Sequence, residues 1–265
     1  MALQPFSDEQ LYFFKFASLV LNEFPKALRQ TFKTMWDITH GHHPSFQLWD
    51  DSTTVRNMFA ATEGGKTKVP VLHSYNEWDC TNLFQATIFA RSFASVASTG
   101  SYRTLSDLYV KPRGGSFHAY VVSPGRNKWE TFALAIDQLR LLRNSLCHST
   151  SSEMDKATFD KRVNYTKEAF KALGEPTALI DSLGSLTESN FPTNEVRNLE
   201  RRIKEETRKY IKFLQEMRSD VVEIKAMLNG NIATKEDIAM LEQKIAKLQE
   251  ESDGKFKTTG RLTSL

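Results

Sequence analysis

The sequence predicts an all-α fold, and three observations predict it. Apolar residues recur at three- and four-residue spacing in successive segments, as in Phe132, Ala135, Leu139, Leu142 and Leu146. Capping residues stand before several of those segments, beginning with Ser7 and the acidic Asp8 and Glu9 behind it. Toward the C-terminus, Val196, Ile203, Tyr210, Met217 and Ile224 return at every seventh position, the spacing of a coiled-coil seam. With 18 Phe, four Trp and seven Tyr, and 25% charged residues, the composition is that of a globular chain able to build a core.

Ser7 opens a first helix carrying Leu11, Phe14, Leu19 and Leu21. Pro25 fits the first turn of a second, with Leu28, Phe32, Met35, Trp36 and Ile38 running to Gly41, so two packed helices are expected. Between His40 and Asn76 a mixture of Gly, Pro, Thr and Trp breaks the pattern and leaves one short helix near Val55 to Ala60. Helical spacing resumes at Trp78, Leu83, Phe84, Ile88 and Phe93. The stretch from Ser95 to Gly125 reads as a long loop, with a short extended piece at Tyr120, Val121 and Val122. A strong helix then spans Lys128 to Cys147, and another follows Ser152 or Asp155, using Phe159, Val163, Phe170 and Leu173 before Gly174 and Pro176 stop it.

Residues 1–192 thus form the expected helical domain, with a core over about 8–175, and the composition shifts beyond Asn194 to dense Glu, Lys and Arg. Residues 193–230 read as a coiled-coil helix, its second seam filled by Leu199, Phe213, Val221 and Leu228 but broken at Glu206 and Thr207. Asn229, Gly230 and Asn231 interrupt it. Thr234 and Asp237 cap a second amphipathic helix over 231–252, bearing Ile238, Leu241, Ile245 and Leu248, and 253–265 is a polar tail. An antiparallel fold-back and a longer interrupted coil both fit this pattern. Self-association is the expected use of the heptads, a solvated single helix the alternative.

A net charge of +3 permits a polyanionic partner without announcing one. Two cysteines, Cys80 and Cys147, and no signal-peptide pattern at the N-terminus suggest a cytoplasmic setting, with both thiols as packing residues. The most apolar stretch, Leu11 to Phe24, contains Lys15, Asn22 and Glu23 and is too short and polar for a membrane span. His40, His42 and His43 have no neighbouring ligand to complete a metal set and read as a turn, so no metal is expected. Gly64-Gly65-Lys66-Thr67 imitates the end of a phosphate-binding loop, but Ala60 takes the place of the first glycine and no strand precedes it. No cofactor is expected. Arg103, Lys111, Arg113, Arg126 and Lys128, interleaved with Tyr102, Tyr109 and Tyr120, make a basic and aromatic loop suited to tracking an RNA backbone, or simply a solvated surface loop.

The candidate site closes the helix that ends at Cys147. At about 100° per residue, Asn144 and His148 lie about 40° apart and share a face, whereas Arg143 lies about 140° from His148. Cations at a helix C-terminus are also favoured by the helix dipole alone. Arg143-Asn144-x-x-x-His148 at a helix end resembles the Arg-x-His motif of HEPN domains, in which four to six residues separate the two and a polar residue often follows the Arg. The Phe- and Leu-rich helices before it and the helix from Phe159 to Gly174 after it are similar too, the branch being that of the DAZ-interacting type of E3 ubiquitin ligase. The likeness covers roughly residues 8–175; the Ser- and Gly-rich stretch from Ser95 to Gly125 departs from it. It implies a helical bundle, here with that long loop as an insertion, that pairs two copies and brings an Arg and a His from each into one cleft; a homodimer or higher homo-oligomer through these helices and the coiled coil is expected. Active members are metal-independent endoribonucleases. By that likeness His148 would move a proton, Arg143 would hold the scissile phosphate and Asn144 would orient one of them. The alternative is a non-catalytic module for assembly with protein partners in immune or stress signalling.

Overall fold

The computed structural model describes residues 6–43, 45–65, 67–96, 102–110, 117–149 and 151–230, with side chains omitted for Leu214 and for residues 216–230. The chain divides into two compact units, one of residues 1–111 and 117–205, the other of residues 112–116 and 206–265. Among the described residues there are eight α-helices and one two-stranded ribbon, an all-α architecture as the apolar spacing predicts.

Helix α1 runs from Asp8 to His40. Ser7 caps it through a reciprocal box with Gln10, the side chain of each accepting from the backbone N–H of the other. The expected break at Pro25 does not occur: the proline lies inside a single 33-residue helix. A proline removes one backbone donor and crowds the carbonyl four residues back. Here that cost is outweighed by a buried face continuous across it, from Phe13, Phe16, Val20 and Phe24 to Ala27, Leu28, Phe32 and Met35.

Helix α2 (Thr53–Thr62), capped by Ser52, matches the short helix expected there. The segment from Trp78 to Phe93 is less helical than its spacing suggests. It holds only α3 (Cys80–Ala86), capped by Asp79, and a 3-10 turn at Arg91–Phe93. Glu63 fixes that turn by accepting from the backbone of Arg91 and Ser92. The expected long loop contains structure of its own: strands β1 (Ser95–Val96) and β2 (Tyr102–Arg103) pair antiparallel, and α4 (Leu105–Tyr109) follows, capped by Thr104. Tyr120 to Val122 form no strand.

Helix α5 (Lys128–Cys147) and helix α6 (Lys156–Leu173) lie side by side, with α1 against both and α4 against α5. A short α7 (Ala178–Asp181) and two 3-10 turns lead to α8 (Thr193–Gly230). The first compact unit includes the start of α8, beyond the compositional change near residue 192, because Val196 and Leu199 join its hydrophobic core and Ile203 packs against it. The expected helix over 231–252 and the tail over 253–265 lie outside the described residues.

Aromatic rings dominate the core at the C-terminal half of α1. Phe32 meets Trp49, Trp78, Phe59 and Phe93 at centroid distances of 4.5, 5.4, 5.5 and 6.2 Å, mostly edge to face. Asp51, with φ of 60°, anchors the intervening connection: its carboxylate accepts from the backbone of Tyr75 and from Ser74 and Arg56.

Candidate functional site

Helix α5 carries an apolar and a polar face through the middle of the first unit. Phe132, Ala135, Leu139, Leu142 and Leu146 are buried, as the amphipathic pattern predicts. On the other side Asp137, Arg140, Asn144 and His148 follow at intervals of three, four and four residues, which keeps them within about 80° of one another. Asp137, Arg140 and Asn144 are nonetheless also buried, at 2%, 6% and 8% exposure. Charged groups persist at such depth only when paired.

Asp137 is the centre of that pairing. One carboxylate oxygen accepts from Arg140 Nε at 2.7 Å, and the other lies 2.7 Å from His118 Nε2. The His118 backbone N–H also donates to the side-chain oxygen of Gln138, at 2.9 Å. Burial pushes the Asp137 carboxyl up, but the charge of Arg140 and the bonds from His118 and Arg140 together outweigh it and bring the group down to about 2. An ionised carboxylate only accepts, so His118 Nε2 carries the hydrogen of their bond. His118 Nδ1 is buried and has no hydrogen-bond partner among the described residues.

Each residue of the expected Arg/His motif has a different environment. Arg143 is 1% exposed; its Nη2 donates to Thr81 on α3 at 2.7 Å and its Nη1 to Asn144 Oδ1 at 3.3 Å. His148 is exposed and is the C-cap of α5, its backbone N–H bonding to the Asn144 carbonyl at 3.0 Å. Arg143 and Asn144 are therefore in direct contact, and Asn144 joins His148 through the backbone. As the helical angles require, the Arg143 side chain turns away from the His148 face, toward α3.

The expected basic loop is spread over several elements. Arg103 is exposed on β2, Arg126 is exposed at a turn with φ of 58°, and Lys128 begins α5 with its Nζ 5.5 Å from the Phe132 ring centroid. Lys111 and Arg113 lie outside the described residues. Arg91, which no motif singles out, lies over the Tyr102 ring at 3.9 Å.

His118, Asp137 and Arg140 are likewise absent from the expected site. His118 stands 19 residues before Asp137 in a stretch without periodicity, so only the folded chain brings them together. The spacing of Asp137 and Arg140, three residues apart on a helix, was the one available signal. No group of three or more His, Cys, Asp or Glu among the described residues is placed to hold a metal ion. His40 instead stacks on Phe46 at 4.7 Å. Cys80 and Cys147 are both buried. No family model, curated protein or solved structure matches this chain, so the site stands on its own geometry.

Proposed function

We propose that this chain is a HEPN-like helical module that binds RNA at the C-terminal end of α5 without cutting it. The observation that carries the non-cutting form is the position of Arg143. A guanidinium that stabilises a cleaving phosphate has to touch it. This one is 1% exposed and committed to Thr81 and Asn144. His148 is the accessible member of the motif, and an imidazole at a helix end can donate to a phosphate or stack on an unpaired base. Exposed Arg103, Arg126 and Lys128 supply further positive charge for a backbone. The likeness to HEPN domains adds pairing of two copies, which would bring two such helix ends together.

A second reading, assembly without RNA, is favoured by α8. This helix is 38 residues long and continues its heptads past residue 205, where the first compact unit ends. On that reading the chain is a coiled-coil interaction module with protein partners.

Incubating the full chain with labelled single-stranded RNA in chelator, beside Arg143→Ala and His148→Ala, separates these. We expect retention of intact RNA, weaker retention by His148→Ala, and for Arg143→Ala a stability loss on the order of 2 kcal/mol from the bonds it breaks. Cleavage by the wild type that both substitutions abolish would establish the endoribonuclease form instead. No retention at any salt concentration, together with a dimeric mass by light scattering, would leave assembly alone.

A further inference from the structure

Pro25 and the start of α8 are connected in a way that neither the RNA reading nor the heptads account for. In an α-helix the carbonyl of residue 21 accepts from the N–H of residue 25, and a proline has none to give. The Leu21 carbonyl is met instead from outside the helix, by Arg202 Nη2 at 2.6 Å. The same guanidinium donates through Nη1 to Asn22 Oδ1 at 2.7 Å. Asn22 is itself oriented by a bond from its Nδ2 to Ser18 Oγ at 3.1 Å, which leaves its oxygen facing Arg202. A planar fork thus grips two acceptors on α1, one of them made available by the proline, with bonds of the charge-assisted kind.

The residues beside Arg202 give this grip a consequence. Val196, Leu199 and Ile203 lie at 9%, 0% and partial exposure against the core of their own chain. Val196 and Ile203 also open the heptad series that continues through Tyr210, Met217 and Ile224 along the same uninterrupted helix, and Leu199 opens the second seam, which continues at Phe213. One apolar face cannot serve the intramolecular core and a pairing seam at once.

We propose that Arg202 is a latch that holds the first turns of α8 on α1, and that its release turns Val196, Leu199 and Ile203 into a pairing seam for a second copy of this chain. Closed, the chain buries the series as far as Tyr210 and Phe213. Open, those positions extend the seam and drive self-association by mass action. Pro25 is the α1 half of the latch, because it keeps the Leu21 carbonyl free for Arg202.

The full chain carrying Arg202→Ala, Pro25→Ala, or Arg202→Ala with Leu199→Glu tests this by amide exchange and light scattering against the wild type. With Arg202→Ala we expect amides of residues 195–203 to exchange about tenfold faster or more, and the dimer dissociation constant to fall by a similar factor. Pro25→Ala gives Leu21 an intrahelical donor, and should move both readouts the same way by a smaller factor; it improves helix propensity and so stays readable if Arg202→Ala folds poorly. Adding Leu199→Glu should abolish the gain in association, since a carboxylate cannot enter the seam. Wild-type exchange in both single variants, faster exchange with unchanged mass, or a dimer that survives Leu199→Glu would each overturn the latch.

Discussion

At the scale of single residues, the decisive pairing is Asp137 with Arg140 and His118. The carboxyl is buried, yet its partners hold it at about 2, below its value of about 3.9 in an unfolded chain. The stability it contributes is therefore complete above about pH 4 and is lost as the pH falls toward 2, an effect on the order of 2 kcal/mol. Asp137→Asn should cost about 3 kcal/mol at pH 7, because it removes the carboxylate charge that both the buried Arg140 guanidinium and His118 face. The same substitution should shrink the difference between urea midpoints at pH 7 and pH 3. An acid dependence as steep as that of the wild type would show that Asp137 is not the group that titrates. Arg143 follows the same rule of paired burial, and that is why the basic residue of the expected motif became a strut between α5 and α3.

At the scale of elements, helix ends were readable because a few local atoms decide them. Helix α6 begins where the Asp155 side chain accepts from Thr158 and ends where Gly174 adopts a φ of 79°. The Gly174 N–H bonds to the Lys171 carbonyl and the Glu175 N–H to the Phe170 carbonyl, closing the helix as a left-handed cap. A Cβ at Gly174 would meet nothing within 4 Å, so Gly174→Ala isolates the backbone cost. We expect a loss of about 1 kcal/mol, read by thermal or urea unfolding. A neutral substitution would mean that the cap relaxes freely. Pro25 shows where local rules stop: the proline signals a helix start, and burial on both sides of it overrides that signal.

At the scale of the whole molecule, no helix among the described residues is long and apolar enough to cross a membrane. The first compact unit depends on one aromatic core that α1, α2 and the connections after them share. Phe32 is fully buried at its centre, touching rings from residues 49, 59, 78 and 93. Phe32→Ala should cost about 4 kcal/mol and shift tryptophan emission to longer wavelength, since Trp49 and Trp78 would both lose a ring they pack against. A cost under 1 kcal/mol would mean that the neighbouring rings collapse to fill the space.

The sequence by itself determined the all-α class, the bounds of α5, the end of α6, the short α2 and the cap at Ser7. Each of these depends on apolar periodicity or on hydrogen bonds closed within four residues. The sequence also located Arg143, Asn144 and His148 at one helix end and showed that the angle between the Arg and the His is wide. Only the tertiary structure decided which of them faces solvent, because exposure depends on what packs against a helix face and not on the face itself. It alone joined His118 to Asp137 across a non-periodic stretch, kept α1 whole through Pro25, and folded the first heptads of α8 into the core of their own chain. In each case the partner comes from a distant part of the sequence, and no local pattern encodes which distant group will fill an unpaired donor, acceptor or apolar face.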